Sequence, residues 1–383
     1  MPKVLLHCCC APCSSAIIEW MMANAYEPVL YYCNPNIYPH EEYLIRKNEC
    51  TRYAQALGLQ IIDADYDHRA WQCATRGYED QPERGSRCLE CFKLRLLRAA
   101  HTAQRLGIDT FTTTLASSRW KSLDQISQAG HWAAEQVNST LSSGQSPVAF
   151  DARNWRKGGL QQRRDELLRQ NRFYNQEYCG CEYSLNARLP KMSKTDIRRW
   201  IRQIKQGLAD EFATLRKRES AQICHEVISA SLWHKADTVL LYHPLPDEVD
   251  TTPLLTNALR AGKRIILPKV NGDNLTLHEY RGPESLSPGA FGIMEPITPS
   301  IPLPTLCIPL AIIPAVAYDP RGHRLGRGRG FYDRLLPTLH LKHSIGVCFS
   351  FQLLQRIPIE SHDIIVSEVV STHCVPSLTP SLS

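Results

Sequence analysis

The stretch LLHCCCAPCSS, residues 5–15, joins an apolar run to four cysteines within six positions. The run KVLLH has the composition of a buried strand, and helical spacing follows it. The same order recurs through the first half, with strands at 28–33, 59–63, 109–115 and 147–151 and helices near 15–25, 41–57, 88–106 and 121–136. This alternation predicts a parallel sheet covered by helices on both faces. Because the functional site of such a sheet lies beyond the carboxyl ends of its strands, the cysteines are expected at that edge.

The whole chain has the length and composition of two globular domains. It contains 383 residues, of which 43% are hydrophobic and 21% charged. Its apolar runs fall short of the ~18 residues of a membrane span, and its first residues do not resemble a signal peptide. We therefore expect a cytoplasmic protein. The net charge of +6 argues neither for nor against a nucleic-acid partner.

The cysteines are distributed unevenly, with 11 of the 15 in residues 1–189. In a reducing compartment, cysteine clusters are more often metal or redox sites than disulfide frameworks. A C-x-x-C pair together with two further cysteines supplies four soft ligands, which suit zinc or a [4Fe–4S] cluster. Spacing alone does not separate those two. The clustered cysteines are Cys8, Cys9, Cys10 and Cys13, then Cys88 and Cys91, then Cys179 and Cys181.

The third cluster, Cys179-Gly180-Cys181, indicates redox chemistry. A disulfide across one residue needs unusual backbone angles, which glycine permits. Such a strained disulfide is easily reduced, so it suits catalysis better than structure. Zinc has no redox chemistry and would leave this pair without a role.

These motifs resemble those of the QueH-type epoxyqueuosine reductases over residues 1–184. The segments that carry the resemblance are LLHCCCAPCS, YYCNPNIYPHEEYLIRKNE, PERGSRCLECFKLRL, FTTTLASSRWKS, DARNWRKGG and RQNRFYNQEYCGCEYSL. That family reduces the epoxide of epoxyqueuosine to the cyclopentene of queuosine, at the wobble position of certain tRNAs. The resemblance therefore implies a tRNA partner and an electron donor of unknown identity.

The same resemblance implies a fold and a set of site residues. Cys9, Cys10, Cys88 and Cys91 would hold a [4Fe–4S] cluster, and Cys179 with Cys181 would form the redox-active pair. The fold would be a Rossmann-like sheet related to adenine-nucleotide-binding (HUP-like) domains. Cys8 and Cys13 are left open, because an additional iron beside the cluster would need further ligands.

Two segments of the first half have alternative interpretations. The basic run of residues 153–172 is either a solvated helix face or, beside a tRNA substrate, a phosphate-contacting surface. In FTTTLASSRWK, Thr112–Thr114 can bind substrate at the strand end or cap the next helix. The candidate tRNA contacts are Arg153, Arg156, Lys157, Arg163 and Arg164.

The second half begins after a short connector that contains a proline. KTDIRRWIRQIKQGL predicts an amphipathic helix, and strands follow at 238–243, 263–268, 275–280, 310–319 and 343–350. We interpret the chain as two Rossmann-like three-layer α/β domains in tandem. The proline-rich segment 285–304 is predicted to be an extended surface excursion. The predicted boundaries are a first domain at 1–184, a linker at 185–190, a second domain at 191–374 and a disordered tail at 375–383.

A glycine-arginine segment, DPRGHRLGRGRGFYDRLL at 319–336, is the strongest signal of the second half. Its glycines lead into a short helix, where backbone N–H groups favour a phosphate. The arginines add fork-shaped donors for phosphate or carboxylate. The segment matches neither of the common nucleotide-binding motifs. It therefore predicts a phosphate site, with a flexible loop as the alternative.

Together with KTDIR, PLPDEVDT and ILPKV, this segment resembles the 5-formyltetrahydrofolate cyclo-ligases (methenyltetrahydrofolate synthetases) over about residues 191–372. That family uses Mg-ATP to phosphorylate the formyl oxygen of 5-formyltetrahydrofolate, and attack by N10 then gives 5,10-methenyltetrahydrofolate. The resemblance implies magnesium at Asp333 and Asp363, and folate at Glu248 and at residues 327–331. It implies ATP at Lys194, Arg198, Arg324, Leu325, Gly326, Arg327, Gly328, Arg329, Gly330, Phe331 and Tyr332.

The sequence thus predicts a bifunctional enzyme, a reductase fused to an ATP-dependent ligase. One alternative for the first half is a zinc-stabilised RNA-binding module. Another is a tRNA-thiolation enzyme, although CCCAPCSS stands where a glycine-rich pyrophosphatase loop would follow the first strand. The alternative for the second half is a domain that binds a sugar phosphate or coenzyme A.

Overall fold

In a computed structural model of the chain, residues 1–289, 294–302 and 306–372 are described. The chain divides into two compact units between Leu185 and Asn186. The predicted tail, residues 375–383, lies outside the described residues. None of the described helices combines the length and the apolar character that crossing a membrane requires.

The first unit is built on a parallel sheet, as the alternation of strands and helices predicted. Within residues 1–185, all of them described, five strands pair in the order β3-β2-β1-β4-β5, and every pair is parallel. The strands are β1 (Lys3–Cys8), β2 (Glu27–Tyr32), β3 (Ile61–Asp63), β4 (Thr110–Thr113) and β5 (Ala149–Phe150). The helices are α1 (Ala11–Ala23), α2 (His40–Ala56), α3 (His68–Ala74), α4 (Ser86–Arg105), α5 (Leu123–Asn138), α6 (Leu160–Gln170) and α7 (Glu182–Arg188).

The centre of this sheet is its most apolar part. Along β1 every residue after Lys3 is buried, as expected of a strand with neighbours on both sides and helices on both faces. Helices α4 and α5 approach each other through small side chains, because Ala99, Ala103, Ala129 and Ala133 are all fully buried. Close helix packing therefore covers one face of the sheet.

The second unit begins with the predicted amphipathic helix, α8 (Lys194–Leu208). Ser193 and Asp196 form a capping box at its start, which satisfies two backbone N–H groups. The apolar side chains recur at helical spacing and are buried, as expected of a helix that covers a core. They are Ile197, Trp200, Ile201, Ile204 and Leu208.

The sheet of the second unit is mixed. Among the described residues seven strands pair in the order β11-β8-β7-β6-β12-β15-β16. β8 and β11 run antiparallel to their neighbours and the other pairs are parallel. The strands are β6 (Thr238–Leu240), β7 (Arg264–Asn271), β8 (Asn274–Tyr280), β9 (Leu286–Pro288), β10 (Met294–Pro296), β11 (Ser300–Ile301), β12 (Cys307–Pro314), β13 (Ala317–Tyr318), β14 (Arg324–Leu325), β15 (His340–Val347) and β16 (Glu368–Val370). The helices after α8 are α9 (Asp210–Ser229), α10 (Ser231–Lys235), α11 (Thr252–Arg260) and α12 (Phe331–Leu335).

Two predictions for this unit need correction. The segment 285–304 is not simply an unpaired excursion, because β9 pairs with β10 and β11 adds to the sheet edge. Two of its prolines, Pro288 and Pro296, sit at strand ends, where a missing N–H is tolerated. The predicted strand 310–319 is two strands, because β12 ends at Pro314 and β13 pairs separately with β14.

Gly130 provides a test of the packing between α5 and the sheet. A Cβ at this helical position would overlap the ring of Phe150 on β5. We expect Gly130→Ala to destabilise the first unit by roughly 1–3 kcal/mol, because the added methyl group overpacks this contact. In an open helix the same substitution would instead stabilise the helix by ~1 kcal/mol.

Urea unfolding followed by circular dichroism measures this difference. Gln128→Ala, at an exposed position of the same helix, serves as the control and should change the free energy of unfolding by less than ~0.5 kcal/mol. A stabilised Gly130→Ala protein would contradict the packing described.

Candidate active sites

The cysteines of the first motif lie at the carboxyl edge of the parallel sheet. Cys8 ends β1, and Cys10 directly precedes α1, whose second residue is a proline. The backbone N–H of Cys9 donates to Thr114 Oγ1 at 3.1 Å, just after β4. This bond ties the turn after β1 to the neighbouring strand end, and so fixes where the thiols stand.

Three of these thiols form a compact group, the thiol triad of Cys9, Cys10 and Cys13. Their sulfur atoms lie within 4.8 Å of one another, and all three residues are buried. The Cys9 and Cys10 sulfurs are 3.8 Å apart. Hydrogen bonds from Cys10 and then from Cys13 lower the pKa of Cys9 well below its usual value. The triad therefore favours a thiolate at Cys9, the form that binds a metal.

The fourth cysteine of the motif is turned away from this group. The Cys8 thiol donates to the Leu6 carbonyl at 3.4 Å, and burial raises its pKa to about 12. Cys8 is also not among the residues whose sulfur atoms lie within 4.8 Å of one another. Of the two cysteines that spacing left open, Cys13 stands with the candidate ligands and Cys8 does not.

The second cluster opens helix α4. Burial and then the charge of Cys179 raise the pKa of Cys88 to about 11. Cys91 packs with Cys181 and Trp71. Cys88 and Cys91 lie outside the thiol triad. The bridging sulfides of a [4Fe–4S] cluster hold its protein ligands farther apart than those of a single ion, so the predicted tetrad does not need all four thiols within that group.

The Cys179-Gly180-Cys181 loop is attached to the rest of the domain through its main-chain carbonyl groups. The Arg46 guanidinium donates to the carbonyls of Tyr178 and Cys179 at 3.3 and 3.2 Å. Gly180 has a φ of 128°, and a Cβ there would lie within 3.3 Å of Arg46, Ile37 and Asn36. Glycine is therefore required at this position both by backbone conformation and by space.

The two cysteines of this loop differ in environment. Both thiols are free. Cys179 is half-buried, whereas Cys181 is buried and its pKa is raised, first by burial and then by the charge of Cys179. The more accessible Cys179 lines a cavity that it shares with Cys9.

This cavity brings the first and third cysteine clusters together through Cys9 and Cys179, and cations line it as well. None of these three cations, Arg46, Arg95 and Lys121, had been identified from the sequence. Burial alone would lower the pKa of Lys121, but the neighbouring thiols of Cys179, Cys9 and Cys13 raise it well above its usual value. The lining residues are Cys9, Asn34, Asn36, Ile37, Arg46, Arg95, Leu115, Lys121, Gln176 and Cys179.

Most of the predicted tRNA-contacting arginines have partners inside the protein. Arg163 forms an ion pair with Glu19 at 2.7 Å. Arg156 donates to the Lys121 carbonyl at 2.7 Å. Further partners are Asp151 for Arg153 and Asp165 for Arg164, while Lys157 is exposed. Contact of this basic run with tRNA stays a prediction.

In the second unit the glycine-arginine segment forms a turn beside the start of α8. Arg198 donates to the Gly326 carbonyl at 2.7 Å, and Gly328 and Gly330 have φ values of 105° and 63°. Arg327 pairs with Asp247 at 2.6 Å and with Glu248 at 3.0 Å. The predicted ATP and folate residues are therefore brought together.

The two predicted magnesium ligands are each held by a cation. Lys194 lies 2.6 Å from Asp363, and Arg324 lies 2.5 Å from Asp333. Asp333 also accepts from the backbone N–H of Ile364 at 3.3 Å, so it lies next to the segment that carries Asp363. Glu360, His362 and Asp363 present ligand atoms within 4.8 Å of one another.

Residues that follow the glycines line an open cleft next to this site. Arg329 and Phe331 share it with Asp273, Asn274 and Arg334. The loop therefore exposes a guanidinium and an aromatic ring to the same space. This arrangement suits a ligand that carries both a flat ring system and negative charge.

Comparison with known proteins identifies both units. Residues 4–187 match the family described as epoxyqueuosine reductase QueH, and residues 190–372 match the 5-formyltetrahydrofolate cyclo-ligase family. The epoxyqueuosine reductase QueH of Histophilus somni is 48% identical over 183 residues, which make up 48% of this chain and 72% of that protein. The chain belongs to the epoxyqueuosine reductase QueH family.

Two further proteins are similar to parts of this chain. The epoxyqueuosine reductase QueH of Haemophilus influenzae is 47% identical over 183 residues, or 48% of this chain and 71% of that protein. A solved 5,10-methenyltetrahydrofolate synthetase of Aquifex aeolicus is 36% identical, with a TM-score of 0.41, and covers 47% of this chain and 90% of that one. The chain joins a QueH epoxyqueuosine reductase domain to a 5-formyltetrahydrofolate cyclo-ligase domain, as the sequence motifs predicted.

The thiol triad of the QueH domain generates a test of metal binding. We expect Cys9→Ser to lose most of the bound iron, because it removes the thiolate that the other two thiols support. Cys8→Ser should keep the iron of the parent protein. Iron and sulfide are measured per chain after anaerobic purification. Loss of iron from Cys8→Ser, with an unchanged circular dichroism spectrum, would contradict the separation of Cys8 from the site.

Proposed function

We propose that the QueH domain reduces epoxyqueuosine to queuosine in tRNA with the Cys179–Cys181 pair as its immediate reductant. The observation that supports this is the cavity that Cys9 and Cys179 line together, which joins the first and third cysteine clusters. Removing an epoxide oxygen as water requires two electrons and two protons. Oxidation of two thiols to a disulfide releases that number of each, so the reaction balances.

The different burial of Cys179 and Cys181 assigns them different roles. Cys179 faces the cavity and therefore meets the epoxide, whereas the buried Cys181 completes the disulfide. Lys121 and Arg95 supply positive charge where the epoxide oxygen becomes negative, the usual way in which fixed charges lower such a barrier. In our proposal these cations position the oxygen.

The disulfide must be reduced again before the next turnover. A [4Fe–4S] cluster on Cys9, Cys10, Cys88 and Cys91 would supply single-electron chemistry for that purpose. The donor set fits such a group, because it consists of thiols of which three are buried and one, that of Cys9, has a lowered pKa. Cys13 would be available to an additional iron. A reducing compartment such as the cytoplasm keeps these thiols free.

We propose that the cyclo-ligase domain converts 5-formyltetrahydrofolate to 5,10-methenyltetrahydrofolate with ATP. Lys194, Arg198 and the loop from Arg324 to Tyr332 would bind the triphosphate, and Glu248 and residues 327–331 the folate. Transfer of the γ-phosphoryl group to the formyl oxygen makes that oxygen a leaving group. Attack by N10 then closes the ring and releases phosphate.

The ion pairs of this domain support an exchange of partners during binding. In the free domain, Lys194 neutralises Asp363 and Arg324 neutralises Asp333. A triphosphate would compete for these cations and free the two carboxylates. Magnesium binds through one or two carboxylates together with phosphate oxygens, so the freed Asp333 and Asp363 would hold it.

The reductase proposal is tested at Cys179. We expect Cys179→Ser to keep its iron and sulfide but to lose epoxide reduction by more than about 100-fold, because a single thiol cannot release two electrons as a disulfide. The assay follows queuosine in tRNA by mass spectrometry under a chemical reductant. Cys73→Ser, an exposed cysteine of the same domain, is the control. Loss of iron from Cys179→Ser would make Cys179 a metal ligand instead.

The ligase proposal is tested at Asp333. We expect Asp333→Asn to lower formation of the methenyl product by at least about 100-fold, because an amide is a poor magnesium ligand. Epoxide reduction and iron content should stay unchanged. Asp237→Ala, at an exposed position before β6, is the control. Turnover retained by Asp333→Asn would remove Asp333 from the magnesium site.

A further inference from the structure

Trp120 differs from the other tryptophans of the described residues in its exposure. Its side chain is 79% exposed, whereas four others are buried and two are partly buried. A large indole ring in water forgoes the burial that normally stabilises it. The next residue, Lys121, lines the cysteine cavity. Consecutive Cα atoms are about 3.8 Å apart, so the exposed ring stands at the edge of the active site.

The backbone that carries this ring is fixed from both sides. Arg84 donates to the carbonyls of Trp120 and Arg119 at 2.9 and 3.0 Å. Arg156 donates to the carbonyls of Ser118 and Lys121. The loop at 118–121 is therefore anchored, and its ring is presented outward without the entropy cost of ordering a flexible segment on binding.

The surroundings of the ring are positively charged. Burial, and then the positive charge of Arg84, lower the pKa of Arg156. The two anchoring guanidiniums therefore lie close to each other. Arg119 and Lys157 are exposed beside them in sequence. Residues 118–121 contain no acidic side chain. An aromatic ring among cations suits a nucleic acid, whose bases stack and whose phosphates are negative.

We infer that Trp120 is a stacking platform for an unpaired base of the RNA, next to the nucleotide that enters the cavity. Single-stranded loops splay their bases, and aromatic side chains bind the exposed faces without reading the sequence. Arg119 and Lys157 meet the adjacent phosphates. The inference rests on the proposed tRNA substrate and adds the residue that holds the loop in place.

The experiment measures binding of the full-length protein, with its iron, to a fluorescein-labelled anticodon stem–loop RNA. Stacking on one aromatic residue changes affinity by roughly 5- to 100-fold, so Trp120→Ala should weaken binding by that factor. Trp120→Phe retains a stacking surface and should stay within about threefold of the parent. Leu106→Ala removes an exposed side chain at the far end of α4 and should have no effect.

A second measurement locates the contact. The fluorescence of Trp120 is obtained as the difference between the parent protein and Trp120→Phe. The stem–loop should quench this fluorescence, and an RNA duplex of equal length should quench it far less. Equal binding by Trp120→Ala and the parent, or absence of this quenching, overturns the platform while leaving the tRNA substrate intact. A parent protein that does not bind the stem–loop contradicts both.

Discussion

The active site of the QueH domain depends on one buried ion pair. Glu42 and Arg46 lie one turn apart on α2, 2.7 Å from each other, and both are almost completely shielded from water. Removing two charges from water is costly, and breaking such a pair by removing one partner typically costs about 3–5 kcal/mol. Arg46 uses its remaining donors to hold the carbonyls of a loop more than 130 positions later. Without this guanidinium, the Cys179-Gly180-Cys181 loop would lose its attachment beside the thiols that follow β1.

The cyclo-ligase domain uses charge differently. Two of its ion pairs each join a predicted phosphate-binding cation to a predicted magnesium-binding carboxylate, and the carboxylates are only partly buried. Such pairs keep both partners in position and neutral overall before a ligand arrives. In our proposal the same side chains also provide the complementary charges for a magnesium-bound triphosphate.

The features that sequence alone predicted are local ones. Strand and helix alternation depends on periodicity, and the three cysteine clusters depend on short spacings, so both could be found without knowing the fold. The cations Arg95 and Lys121 were missed because nothing in their own segments marks them as lining a cavity. The pairing of Arg163 with Glu19 was missed for the same reason, because the two residues lie 144 positions apart. The strands within 285–304 were missed because their stability comes from pairing partners rather than from composition.

Anchoring through carbonyl groups has a consequence for how the reductase site can change over time. Arg46 binds the main chain of Tyr178 and Cys179, and every residue type offers the same carbonyl. The anchor is therefore indifferent to the side chains of Cys179 and Cys181, although the intervening Gly180 is constrained. Architecture and reactivity are separable at this loop, so the scaffold could be adapted to another pair of reactive groups without rebuilding its support.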